Sequence, residues 1–183
     1  LIRGGGAGRR AIESAFRDVF DAADVSERIR SVVLNGRTDP LIIRDLAEAC
    51  GIAGEALDES LETVFETYLR HLKVNVTEHH PAQLCPGFPE LLARLERHGG
   101  MTLGLLTGNI EAGARVKLDP FDLNRYFVTG GFGSDSADRP TIARMAREKF
   151  ETIAGRTIPA SNVLVIGDTV HDVDCGRKNE FRT

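Results

Sequence analysis

Two carboxylates follow an apolar run near the end of the chain, and their spacing could hold a metal ion. Residues 163–166 are all apolar, Gly167 ends the run, and Asp168 and Asp172 follow it. Such a run predicts a buried parallel strand that delivers the acids to its carboxyl end. Mg²⁺ prefers oxygen ligands and needs only one or two protein carboxylates, because it keeps several waters. The alternative is structural: Asp168 caps the next helix and Asp172 is solvated in its first turn.

A second apolar run ends in residues suited to binding a phosphate group. Residues 101–106 predict a strand, and Thr107, Gly108 and Asn109 follow it. The hydroxyl and the amide can donate hydrogen bonds, while glycine lets a ligand approach the backbone N–H closely. The alternative is a plain helix start, with Asn109 as the cap and Gly108 permitting the turn. Two such strand ends in one chain favour a shared binding site.

The elements that must position these residues alternate between helix and strand from Pro86 onward. This alternation predicts a parallel sheet covered by helices on both faces, and ligands bind such sheets at the carboxyl ends of the strands. The earlier half shows helical periodicity over 7–21 and 57–69, and a helix start at Asp39. The predicted helices of the second half are 87–97, 110–118 and 140–153, and the predicted strands are 101–106, 125–129 and 163–166.

Both polar segments resemble motifs of one enzyme family. Residues 105–109, Leu-Leu-Thr-Gly-Asn, are similar to the second motif of the haloacid dehalogenase-like superfamily. Residues 167–172, Gly-Asp-Thr-Val-His-Asp, are similar to its fourth motif. The order, spacing and strand context also match, and the likeness is to the phosphatase branch of the phosphoglycolate phosphatase type.

The resemblance implies a cofactor and a role for each site residue. Thr107, with Gly108 and Asn109, is implied to bind the transferring phosphoryl group. Asp168 and Asp172 are implied to hold Mg²⁺.

The resemblance also implies an α/β fold, in which a Rossmann-like parallel sheet core carries an inserted α-helical cap domain. The implied domains are a linker from the first strand over residues 1–9, the helical cap over 10–84 and the core over 85–183. The strand of the first motif would lie between the strands at 101–106 and 163–166.

The family's third motif is a basic residue that neutralises charge on the phosphoryl group and the nucleophile. Lys117 is the first choice, because it resembles the branch in which this lysine precedes the next strand. Arg139 lies where other branches place the residue and is the runner-up. For either one, the alternative is a solvated surface charge. A metaphosphate-like transition state spreads charge over three oxygens, so a cation at this place has a chemical purpose.

The family's first motif, Asp-x-Asp-Gly-Thr, is absent from the 183 residues. In the family, its first aspartate is the nucleophile and its second is the general acid/base. Because Leu1 opens a glycine-rich loop that follows this motif in the family, we expect the sequence to be a fragment. Residues 181–183 predict the start of a further strand.

The expected activity therefore belongs to the intact protein. We expect a Mg²⁺-dependent phosphatase, a phosphoric monoester hydrolase, that works through an aspartyl-phosphate intermediate, and we expect the fragment alone to be inactive. The alternatives are a phosphomutase or haloacid dehalogenase of the same fold, or a non-catalytic binding relative. A dehalogenase has no use for a Mg²⁺ pair, so Asp168 and Asp172 argue against it.

The loop between the first two predicted cap helices contains a candidate substrate contact. In residues 35–40, Gly36 permits a tight turn, Arg37 can pair with an anionic substrate group, and Asp39 caps the next helix. The alternative is a solvated turn with a capping aspartate. The resemblance implies that this loop closes over the site, so the expected substrate is a small phosphorylated metabolite, with phosphoglycolate as one candidate.

Composition limits the partners. The net charge is −4 and the basic residues are scattered, which argues against nucleic acid, and no apolar run is long enough to cross a bilayer. The three cysteines lack metal-type spacing, which predicts buried thiols in a reducing cytoplasm. The run His79-His80-Pro81 has no carboxylate or cysteine partner and predicts a polar loop. These patterns define neither the substrate nor the oligomeric state.

Overall fold

The computed structural model describes residues 1–79 and 82–183, so the prediction for His80 and Pro81 lies outside the described residues. The contacts between residues define two compact units, and the chain passes between them several times. The first unit comprises residues 1–34, 41–101 and 112–124, and the second comprises 35–40, 102–111 and 125–183. This division differs from the predicted boundaries at residues 9 and 84, and those domains stay a prediction.

The regular elements are eight α-helices and four short strands among the described residues, with short 3₁₀ and π turns between them. In chain order they are β1 (Ile2–Arg3), α1 (Ala7–Phe20), α2 (Val25–Arg28), α3 (Asp39–Ala49), α4 (Gly54–Val74), β2 (Gln83–Leu84), α5 (Phe88–His98), β3 (Gly104–Leu106), α6 (Glu111–Leu118), β4 (Thr129–Gly131), α7 (Arg139–Ala154) and α8 (Val170–Lys178).

Packing of α1 against α4 forms the centre of the first unit. The buried face of α1 has alanine at positions 7, 11 and 15, and these small side chains let α4 approach closely. Phe16 of α1 and Tyr68 of α4 are fully buried. The half of the chain before Pro86 shows helical periodicity in its sequence, but it also contains the short strands β1 and β2, which pair antiparallel with Ile2 opposite Leu84.

The second unit contains a parallel strand pair. Strands β3 and β4 pair in register, with Leu105 opposite Gly130 and Leu106 opposite Gly131. Helix α7 packs on both strands and α8 packs on α7. A Cβ at Gly131 would lie 2.5 Å from the carbonyl oxygen of Ile142, so this close packing requires glycine. The parallel pairing and the covering helices agree with the predicted α/β architecture.

The predicted strand at 163–166 pairs with another segment over fewer residues than expected. Leu164 forms a parallel bridge with Arg182, and the Val165 N–H donates to the Arg182 carbonyl at 2.8 Å. Residues 181–183 were predicted to begin a further strand, and this bridge confirms their extended pairing. A small cluster supports the bridge: Ala143, Cys175 and Phe181 are buried, and Leu106, Val163 and Val165 pack against them.

One predicted strand is wrong in position. Residues 125–129 were predicted as a strand, but Asn124–Tyr126 is a 3₁₀ turn and the strand β4 covers Thr129–Gly131. Gly130 and Gly131 form this strand. A Cβ at Gly130 would overlap the carbonyl oxygen of Leu105 in β3, and a Cβ at Gly131 would lie 2.5 Å from that of Ile142 in α7, so neither position has space for a larger side chain.

A membrane-spanning helix is not found among residues 1–79 and 82–183: none of their helices combines the length and the apolar composition that a bilayer requires.

The three cysteines should differ in reactivity. All are free thiols, but Cys175 is buried whereas Cys50 and Cys85 are partly exposed. Burial raises the pKa of the Cys175 thiol, although Arg139 opposes this effect, so at pH 8 the thiol stays protonated and unreactive. We expect Ellman's reagent to modify Cys85 in the native protein and to modify Cys175 at a rate at least about 100-fold lower. Equal rates at the two thiols would contradict this packing of α7 and α8.

Candidate active site

The turn after β3, residues 107–109, is tied into the sheet on both sides. The Thr107 N–H donates to the Gly131 carbonyl at 3.0 Å, which continues the β3–β4 pairing by one residue. The Gly133 N–H donates to the Asn109 carbonyl at 2.7 Å. Within the turn, the Asn109 N–H donates to the Thr107 hydroxyl oxygen at 3.2 Å. The Thr107 hydroxyl is therefore held at the carboxyl end of the strand, as predicted for this type of site.

Gly108 is enclosed by its neighbours. A Cβ at this position would lie 2.5 Å from the Arg37 carbonyl oxygen, so only glycine fits. Gly108 is buried, and no hydrogen-bond partner for its N–H is found in the part of the chain that the structure describes. A buried N–H normally has a partner, and a ligand oxygen would provide one.

Asn109 uses its donors within the protein. Its side-chain amide donates to the Asp39 carboxylate at 2.9 Å, and its N–H is taken by Thr107. The other Asp39 oxygen accepts the Ile110 N–H at 2.9 Å. The sequence predicted Asp39 as a helix cap and gave Asn109 as an alternative cap of the helix after β3. In the structure, Asp39 binds the turn that precedes α6, and α6 begins at Glu111, two residues after Asn109.

Sequence reasoning missed this contact between Asp39 and Asn109. The two residues lie 70 positions apart, and a carboxylate followed by proline is already explained by a helix start. No local sequence pattern indicates that an aspartate at the start of one helix accepts hydrogen bonds from residues at the start of another helix.

The acidic turn after residues 163–166 contains a capping box. Thr169 is the N-cap of α8: its hydroxyl accepts the Asp172 N–H at 3.3 Å, and Asp172 Oδ2 accepts the Thr169 N–H at 3.1 Å. Asp168 was considered as the cap, but Thr169 fills that role. Asp168 is exposed, and its carboxylate has no hydrogen bond or ion pair among residues 1–79 and 82–183.

Asp172 is also bound by a cation. Arg139 Nη2 donates to Asp172 Oδ1 at 2.8 Å, and the two side chains are 18% and 14% exposed. Both oxygens of Asp172 therefore have protein partners. Lys117 and Arg139 are the two candidates for the family's basic residue. Within the second unit, Arg139 contacts Asp172, one of the two acids predicted to hold the metal.

Residues 35–37 contact both turns. The carbonyl of Arg37 lies against Gly108, and a Cβ at Gly36 would overlap the ring of His171 in the acidic turn. Gly36 also has a φ of +76°, a conformation that other residues rarely adopt. The second unit thus joins the turn at 107–109, the loop carrying Arg37 and the acidic turn at 168–172.

Lys117 lies in the first unit. A Cβ at Gly8 would be 3.2 Å from Lys117 Nζ and 4.0 Å from the hydroxyl of Tyr68, which places the amine near the start of α1. Its role as the family's basic residue stays a prediction.

The acidic turn offers one carboxylate, that of Asp168, whose chemistry suits Mg²⁺ as an oxygen ligand. This carboxylate is exposed and accepts no hydrogen bond from the described residues, whereas both oxygens of Asp172 are in use. No group of three or more His, Cys, Asp or Glu side chains that could hold a metal is found in the described part of the chain. Mg²⁺ does not need such a group, because water supplies most of its ligands.

Comparison with known families identifies the class of protein. The chain matches the haloacid dehalogenase-like hydrolase family over residues 7–178, nearly its whole length. It therefore belongs to this family, and the predicted superfamily and α/β fold are confirmed. A search of curated proteins gave no match.

Proposed function

We propose that this hydrolase is a Mg²⁺-dependent phosphatase that acts on a small phosphorylated metabolite through an aspartyl-phosphate intermediate. The observation that carries the proposal is the junction within the second unit, where the loop with Arg37 contacts both Gly108 and His171. The turns that this loop joins contribute a hydroxyl, a buried backbone N–H and a carboxylate that has no hydrogen bond or ion pair with the residues that the structure describes. These are the groups that a phosphoryl group and its Mg²⁺ need.

Thr107 and Gly108 would bind the phosphoryl oxygens. The Thr107 hydroxyl donates a long hydrogen bond, of 3.4 Å, to the Asn109 side-chain oxygen, so it can redirect its proton to a ligand at little cost. The Gly108 N–H would supply a second donor. Asn109 would contribute by holding the turn, because its backbone N–H donates to Thr107 and its side-chain amide donates to Asp39.

Asp168 would hold Mg²⁺, and Asp172 would fix the turn that presents it. When bound, the metal would neutralise negative charge on the phosphoryl group as a Lewis acid. Arg139 would keep Asp172 oriented and would add positive charge on the same side. Lys117 stays the alternative for the basic residue of the third motif.

The nucleophile would come from a segment outside these 183 residues, since they contain no Asp-x-Asp-Gly. Its carboxylate would attack phosphorus as the ester P–O bond breaks, and the alcohol would leave with a proton from a second aspartate. Water would then cleave the acyl phosphate and release inorganic phosphate. Arg37 would select substrates by pairing with an anionic group. Three free thiols suit a cytoplasmic enzyme.

A phosphate-release screen of the whole gene product, with and without Mg²⁺, tests the proposal. The substrates are small phosphate monoesters, with and without a carboxylate. We expect release of inorganic phosphate that requires Mg²⁺ and that is absent for the 183-residue chain alone. Halide release from a haloacid, or no hydrolysis of any ester, would contradict the phosphatase proposal.

A further inference from the structure

The segment from residue 35 to residue 39, called here the linking segment, is bonded to the turn at 107–109 at several points. Asp39 accepts the Asn109 amide and the Ile110 N–H, both at 2.9 Å, and its own N–H donates to the Gly108 carbonyl at 2.7 Å. Asp39 is only 3% exposed. Three hydrogen bonds thus join one buried residue to three successive residues of this turn.

The opposite end of the linking segment lies on the acidic turn. Gly36 lies so close to the His171 ring that no side chain fits between them. Thr38 is fully buried and lies near Gly133, since a Cβ on that glycine would be 3.2 Å from the Cβ of Thr38. The linking segment is therefore packed along its length and not only at its ends.

The charge of Asp39 excludes a direct role in binding phosphate. A carboxylate repels a phosphoryl dianion, so Asp39 would weaken phosphate binding unless its hydrogen bonds stabilise the turn that binds the phosphate. Hydrogen bonds to an ionised acceptor are stronger than those to a neutral one, so a buried aspartate holds a turn more firmly than an amide can. The useful property of Asp39 is thus rigidity.

We propose that Asp39 is a positioning residue, and that the linking segment sets the position of the phosphate-binding turn relative to the acidic turn. This inference rests on the proposed phosphatase function. Asp39 acts through Asn109 and Ile110, which hold the Thr107 hydroxyl and the Gly108 N–H in place. A displacement of such donors by about 1 Å can cost about 100-fold in rate.

The test compares Asp39→Asn with Glu151→Gln in the whole gene product. Glu151 is a matched control because its carboxylate also accepts a backbone N–H, that of Ile158 at 2.9 Å, in the same unit but on the far end of α7. Both variants keep the shape of the side chain and remove its charge. The readouts are kcat, KM, the inhibition constant of orthovanadate and the midpoint of urea unfolding.

We expect Asp39→Asn to lower kcat by about 10- to 100-fold and to weaken inhibition by vanadate, which mimics the transition state, by a similar factor. Glu151→Gln should change stability only. Adding Asn109→Ala to Asp39→Asn should lower kcat little further, because both changes release the same turn. If Asp39→Asn lowers stability but keeps the kcat and vanadate inhibition of the unaltered protein, the positioning role is overturned.

Hydrogen exchange at the Ile110 amide separates this inference from the proposed function. If the unaltered protein releases no phosphate, the phosphatase proposal fails, and with it the catalytic meaning of Asp39. Faster exchange of the Ile110 amide in Asp39→Asn than in Glu151→Gln would still show that Asp39 orders the turn. Equal exchange in the two variants would overturn the inference even for an active phosphatase.

Discussion

Replacement of Asp168 by Asn is expected to abolish phosphate release by the whole gene product. The amide keeps the size of the side chain but removes the negative charge that would hold Mg²⁺. We expect the transition state to lose about 4 kcal/mol of charge stabilisation, which corresponds to about a 10³-fold fall in kcat. The measurement is kcat over a range of Mg²⁺ concentrations, together with Mg²⁺ affinity by calorimetry.

Asp174→Asn is the matched control for this variant. Asp174 is an exposed aspartate of α8, six residues after Asp168, and its carboxylate has no hydrogen bond or ion pair with residues 1–79 and 82–183. The control should keep both activity and Mg²⁺ affinity. Full activity of Asp168→Asn would reject the metal assignment, and an equal loss in both variants would show that the effect is not specific to Asp168.

Arg139→Ala should reduce both stability and activity. The substitution leaves the Asp172 carboxylate, which is 14% exposed, without its cation. Removing one partner of a buried ion pair lowers the free energy of unfolding by more than the intact pair contributes, because the other charge stays buried without a partner. For this partly exposed pair we expect a loss of about 2 kcal/mol. We also expect kcat to fall by about 100-fold, because the acidic turn loses its orientation and a positive charge.

Arg144→Ala, in the same helix, provides the comparison for Arg139. Its ion pair with Glu148 is about half exposed on both sides, and such pairs contribute less than about 1 kcal/mol. Urea unfolding and kcat should therefore distinguish the two arginines. Similar effects of the two substitutions would contradict a special role for Arg139 and would favour Lys117 as the basic residue.

The helices could be predicted from the sequence because their signals are local. Apolar periodicity predicted a helix over 7–21, and α1 covers Ala7–Phe20. Asp39 and Pro40 predicted the start of α3, and Asp138 with Pro140 bounds α7, whose N-cap is Asp138. Each of these signals lies within a few residues of the helix end that it marks.

The strands were harder to predict because their pairing depends on distant residues. β4 contains two glycines, which favour turns when read locally. Gly130 lies against Leu105 of β3 and Gly131 lies against Ile142 of α7, so their place in a strand follows from residues in other parts of the chain. Residues 163–166 form a single β-bridge. Their side chains alternate as in a strand, with Val163 and Val165 partly buried and Leu164 and Ile166 exposed.

The candidate site was predictable in its residue types but not in its internal bonds. Thr107 and Gly108 follow β3, so their place at the carboxyl end of a strand could be derived from sequence order, and Asp168 follows the bridged residues 163–166. The pairing of Arg139 with Asp172 spans 33 positions and that of Asn109 with Asp39 spans 70. These contacts are set by tertiary packing, which no local pattern records, and the ligand roles of Asn109 and Asp172 stay predictions.

An NMR titration of the whole gene product with orthovanadate in the presence of Mg²⁺ shows whether the turn at 107–109 and the acidic turn at 168–172 form one site for a phosphoryl group and its metal. We expect the backbone amides of both turns to shift together along a single binding curve, and this curve to disappear in Asp168→Asn. Shifts at one turn only, or two curves with unrelated affinities, would contradict a single shared site.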